Sequence, residues 1–102
     1  MSGKKSRTKG HDFERKIMNE LIGLGYICYT SRNESKRLDD ACVDLVDTTP
    51  FYFQLKKTER LPNLDNIIKA MPQDKVRTIL HAKNNQDALI TMRWEDFKKL
   101  LL

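Results

Sequence analysis

Four residues spread over the first half of the chain have the types and spacing to act together: Glu14, Asp44, Gln54 and Lys56. Glu14 stands where a helical pattern wants a hydrophobe. At about 100° per residue it falls near the middle of the arc drawn by Phe13, Ile17, Met18 and Leu21, so its carboxylate is expected to face inward. A buried carboxylate is costly unless a cation or a metal ion meets it. Asp44 and the run Gln54-Leu55-Lys56 flank Thr48-Thr49-Pro50, a turn-forming join between two strand-like stretches. A three-residue loop there pairs Asp47 with Phe51 and sets Asp44 opposite Gln54, whereas a shorter or longer loop shifts the pairing by one. Strand side chains alternate, so Asp44, Gln54 and Lys56 would share one face while Phe53 and Leu55 turn to the core.

Those types suit a hard cation. Mg²⁺ takes oxygen ligands, and the carboxylates of Asp44 and Glu14 with the amide oxygen of Gln54 make a partial shell that water and a phosphate oxygen would complete. Such an ion polarises a phosphoryl group and lowers the pKa of bound water. Lys56 could orient or deprotonate that water, or neutralise charge on the pentavalent phosphate. The implied reaction is phosphodiester hydrolysis. The competing reading is a metal-free ion pair between Glu14 and Lys56.

The elements that must position these groups follow from pattern. Residues 11–24 carry Phe13, Ile17, Met18, Leu21 and Leu24 at helical spacing, with Asp12 available as a cap and Gly25 as the stop. Residues 27–30 read as a strand, 31–40 as a charged loop, and 42–47 with 51–57 as a hairpin. Leu61-Pro62-Asn63 breaks the chain before a short helix over 64–71, which Pro72 ends. Strands over 76–82 and 88–92 and a closing helix bearing Trp94, Phe97, Leu100 and Leu101 complete an α/β order: helix, three strands, helix, two strands, helix. Residues 1–10 read as a flexible basic arm and 11–102 as one domain.

Composition narrows the classes. Nineteen Lys and Arg against fourteen Asp and Glu leave +5 at pH 7, which favours an anionic partner. No apolar run approaches the roughly 20 residues of a membrane span, and no apolar segment follows the Lys-rich start, so a cytoplasmic, unexported protein is expected. Cys28 and Cys42 suggest reduced thiols rather than a disulfide framework or a zinc site. Basic residues flank the candidate centre in sequence: Lys4, Lys5, Arg7 and Lys9 in the arm, Arg32, Lys36 and Arg37 after the first strand, and Lys57 and Arg60 after the hairpin. They are the candidate phosphate contacts. No device for reading base edges is visible, so shape and backbone recognition is expected. His11 reads as a surface residue and His81 as a structural one, and Asp40 would become a neighbour of the metal if the register slipped.

The residues Gly10-His11-Asp12-Phe13-Glu14-Arg15, Val43-Asp44 and Gln54-Leu55-Lys56-Lys57-Thr58 together resemble the PD-(D/E)XK nuclease superfamily. Lys9-Gly10, the helix end Leu24-Gly25-Tyr26 and Arg32 are similar, more narrowly, to archaeal-type Holliday-junction resolvases and their viral relatives. The resemblance spans residues 9–58. It implies a restriction-endonuclease-like mixed β-sheet flanked by helices, Glu14, Asp44 and Gln54 as metal ligands, and Lys56 as the catalytic lysine. It further implies Mg²⁺, with Mn²⁺ as a substitute, and a homodimer acting on four-way DNA junctions, with Arg32 and Ser35 touching DNA. Val43 replaces the usual Pro, and Gln54 replaces the usual acid, which leaves one negative charge fewer at the metal. Two alternatives stay open: another structure-selective nuclease of the same fold, and a nucleic-acid-binding module that has lost the metal.

Overall fold

The helical spacing of Phe13, Ile17 and Leu21 builds the first helix, and the chain leaves it where the backbone needs a positive φ. In the computed structural model, which describes residues 2–101, α1 covers Ser2–Gly23 and Gly25 follows with φ 106°. The Tyr26 N–H donates to the Leu21 carbonyl and the Gly25 N–H to the Ile22 carbonyl, both at 3.0 Å, the paired closure of a Schellman turn. The helix begins nine residues before the expected start, because Lys, Arg and Ser extend a helix that the amphipathic part has already nucleated. The side chains of Lys4, Lys5, Arg7 and Lys9 lie outside the described residues.

After α1 come β1 (Tyr29–Thr30), α2 (Ser31–Glu34), α3 (Lys36–Asp40), β2 (Leu45–Val46), β3 (Phe51–Lys57), α4 (Leu64–Ala70), β4 (Val76–Ala82), β5 (Leu89–Thr91) and α5 (Trp94–Lys99). The five strands form one sheet in chain order. Among the described residues only β3 and β4 are parallel, with α4 as the crossover that parallel neighbours require, and the other pairs are antiparallel. This is the expected mixed sheet flanked by helices, in the restriction-endonuclease-like arrangement. On one face Phe13 and Ile17 of α1 bury against Leu45, Phe53, Leu55 and Ala82. A second cluster joins Val43, Tyr52 and Met71, with Leu38 of α3 and Ile67 of α4 against it. Among the described residues no helix is long and apolar enough to cross a membrane, and Cys28 and Cys42 are both free.

Two expectations are corrected. Residues 31–40 are not a loop but two short helices, α2 and α3. The Ser35 hydroxyl caps α3 by accepting from the Leu38 N–H, as the Asn63 side chain caps α4 by accepting from the Asn66 N–H; such caps contribute about 1 kcal/mol each. The apolar stripe of α5 does not face the core either. Trp94 and Leu101 are each 63% exposed, Phe97 and Leu100 are also on the surface, and Asp96 is fully buried instead. Its carboxylate receives the Arg77 side chain through Nε at 3.1 Å and Nη2 at 2.8 Å, and the Arg77 backbone N–H at 3.2 Å. The pairing of β5 with β4 stops at Thr91 opposite Ile79, so Asp96 accepts from an N–H that lies beyond the end of β5. An ion pair, not hydrophobic periodicity, therefore seats α5.

Candidate functional site

The Thr48-Thr49-Pro50 join sets the register. Leu45 pairs with Phe53, the alignment that a three-residue loop demands and that carries Asp44 to the level of Gln54. At Asp44 the ladder is irregular. Its N–H donates to the Phe53 carbonyl at 2.7 Å, and its own Oδ2 accepts from the Leu55 N–H at 2.8 Å. A side chain thus supplies an acceptor to the strand, which fixes the carboxylate beside β3. Val43 is fully buried and Asp44 is partly covered.

Burial pushes the Asp44 carboxyl up to about 6. The Leu55 N–H and the positive charge of Lys56 pull it down, while the negative charges of Glu14 and Asp39 push it further up. The carboxylates of Glu14 and Asp39 and the ammonium of Lys56 therefore lie near enough to act on Asp44. Because the folded pKa lies above the unfolded value, this group stabilises the fold while protonated and loses that contribution as pH rises through about 6. Urea titrations in chelator are expected to show the wild type losing roughly 1 kcal/mol of stability between pH 5 and pH 7 at this site. Asp44→Asn should lack that component, and identical pH profiles for the two proteins would contradict the assignment.

Glu14 is the inward acid that its helix position foretold, with its side chain 16% exposed. The cation that meets it is Arg32 of α2, through Nη1, and not Lys56. Arg32 arrives there because Ser31 is welded to the neighbouring segment. The Ser31 N–H donates to the Asp44 carbonyl at 2.8 Å, and its hydroxyl donates to the Val43 carbonyl, with Asp39 Oδ1 3.3 Å away. Ser31 and Asp39 were not legible as site residues in sequence, since their role depends on a contact with residues 43–44 that no local pattern encodes.

Gln54 is 7% exposed and level with Ile79 of β4, and Lys56 is level with His81. Among the described residues no side chain pairs with Lys56 at salt-bridge distance, and no group hydrogen-bonds the Gln54 amide. His81 is held by Thr91, whose Oγ1 lies 2.8 Å from Nε2, consistent with the structural role expected of it. The other candidate phosphate contacts are more scattered. Lys36 pairs with Asp40 at 3.2 Å, Arg37 lies within electrostatic reach of Tyr52, and Ser35 is the α3 cap. Lys57 stacks over the Phe13 ring at 5.6 Å, and the Arg60 carbonyl accepts from the Thr58 hydroxyl at 2.6 Å.

Glu14, Asp44 and Gln54 offer oxygen donors, which suits a hard cation. Among the described residues no three His, Cys, Asp or Glu side chains stand close enough to hold a metal ion. Any ion here would draw on the two carboxylates of Glu14 and Asp44 together with the neutral amide of Gln54. No family model matches the chain, and no curated protein and no solved structure matches it.

Proposed function

We propose that the chain is a metal-dependent endodeoxyribonuclease that hydrolyses phosphodiesters in branched DNA, a Holliday-junction resolvase working as a homodimer. The restriction-endonuclease-like fold is consistent with the broad nuclease class. The observation that carries the reading is the Asp44 carboxylate fixed beside β3 by the Leu55 N–H at 2.8 Å, near enough to Glu14 and Lys56 for their charges to act on it. Asp44 and Glu14, with the amide oxygen of Gln54, are the donors that would hold Mg²⁺ or Mn²⁺. That ion, when bound, supplies Lewis acidity toward a phosphate oxygen and acidifies a water.

The protein's own contributions are positional. The Leu55 N–H fixes the direction of the Asp44 carboxylate, and Phe13 and Ile17 anchor α1 on Leu45, Phe53 and Leu55, with Glu14 within electrostatic reach of Asp44. Lys56, two residues beyond Gln54 on the same strand, is available to orient the attacking water or to offset charge on the phosphate. Leu89 and Ile90 of β5 with Trp94, Leu100 and Leu101 leave apolar surface that a second copy would cover.

A second reading has its own support. Arg32 already neutralises Glu14, and Gln54 brings no charge, as suits a binding module without a metal. Labelled four-way junction, linear duplex and flap, each incubated with Mg²⁺, Mn²⁺ or chelator, separate the cases. The expected result is metal-dependent nicking of the junction in preference to the other two. Equal cleavage of all three removes the resolvase assignment, and junction binding with no product in Mn²⁺ establishes the binding module.

A further inference from the structure

We propose that Arg32 is a latch on this centre: it holds Glu14 in the protein alone and passes to a backbone phosphate when nucleic acid arrives, freeing the carboxylate. The inference rests on reading Glu14 and Asp44 as ligands of one metal ion. Glu14 alone of the two has a cation at salt-bridge distance among the described residues. Arg32 holds Oε1 of Glu14, so an ion that draws on both carboxylates competes with the guanidinium for the charge of Glu14.

The geometry suits a side chain that exchanges partners. The backbone of Arg32 is fixed, because the preceding Ser31 is fully buried and tied by its N–H to the Asp44 carbonyl. The side chain is different. It is 39% exposed, reaches across to α1, and touches Glu14 through one guanidinium nitrogen, Nη1. A guanidinium presents five donors in a planar fork and prefers to meet an oxyanion with two of them at once. A phosphate can give Arg32 that second contact. The contact with Glu14 borders an open hollow of about 260 Å³, which His11, Arg15, Met18, Tyr29, Thr30 and Glu34 also line, so the guanidinium faces solvent-open space in which Arg15 and Arg32 offset the carboxylates of Glu14 and Glu34.

Metal and nucleic acid then help each other to bind. Displacing Arg32 costs the ion more when the guanidinium has nowhere to go than when a phosphate receives it. By linkage the coupling is the same in both directions. Arg15 borders the same hollow but pairs with Asp12 at 3.6 Å, which makes it the control for a general charge effect.

Calorimetric titration of the full chain with Mn²⁺, without DNA, is combined with junction binding measured in chelator. Arg32→Ala is expected to bind Mn²⁺ about fivefold more tightly than wild type, the scale of one half-exposed ion pair, and the junction about fivefold more weakly. Arg32→Gln keeps most of the stem and should behave alike, and Arg15→Ala should leave Mn²⁺ affinity unchanged. If Mn²⁺ binding is abolished in Asp44→Asn yet equal in wild type and both Arg32 variants, the latch is overturned while the centre stands. The same holds if Arg15→Ala tightens Mn²⁺ as much as Arg32→Ala does. If no variant binds Mn²⁺, or Asp44→Asn binds it like wild type, the centre itself falls and the latch with it.

Discussion

Asp44→Asn is expected to slow junction cleavage by at least about a thousandfold, some 4 kcal/mol of transition-state stabilisation, while junction affinity stays within about twofold of wild type. The substitution suits the geometry. An amide oxygen can still accept from the Leu55 N–H that Oδ2 holds at 2.8 Å, so the irregular strand pairing persists and only the charge is lost. The burial that holds the Asp44 carboxyl near 6 also means that removing its charge costs the folded state nothing at neutral pH. Single-turnover cleavage beside a gel-shift titration reads both quantities. A variant that cleaves like wild type would remove Asp44 from the chemistry, and one that neither binds nor cleaves would show that the residue serves nucleic-acid affinity instead.

The largest loss of stability is expected from Asp96→Ala. The change leaves the Arg77 guanidinium, in a residue only 9% exposed, without the carboxylate that accepts its Nε and Nη2 donors. Breaking one side of a buried ion pair costs about 3–5 kcal/mol. In a domain of this size that corresponds to a fall in Tm of about 15 °C or more. Burial alone would raise the Asp96 carboxyl, but the hydrogen bonds from the Arg77 side chain, its backbone N–H and Lys99 outweigh burial and hold it low. Its stabilisation is therefore present at neutral pH and lost as pH falls through that lowered value. Replacing both partners by apolar residues, as in Arg77→Met with Asp96→Leu, should recover much of the loss. A melting temperature for Asp96→Ala within a few degrees of wild type would show that α5 is seated by something else.

What could be read from sequence, and what could not, divides by range. The hairpin register was legible because a short turn-rich join and alternation along two strands fix it locally, and Leu45 faces Phe53 as that reasoning required. The inward turn of Glu14 was legible from helical phase, but its partner was not. Arg32 reaches it only because α2 docks through Ser31 on residues 43–44. Helices as short as α2 and α3 carry no period to detect, and their ends are set by the Ser35 cap and by tertiary bonds. The closing helix was read by its apolar residues, which is the usual cue. Here the deciding contact joins Asp96 to an arginine 19 positions earlier, and a buried salt bridge of that span leaves no periodic trace.

The last strand of the sheet has a consequence for how this molecule can meet its surroundings. β5 is three residues long, so its free edge offers too few amides to template an additional strand. A macromolecule that settles there must grip by side-chain shape, through Leu89, Ile90 and the neighbouring indole.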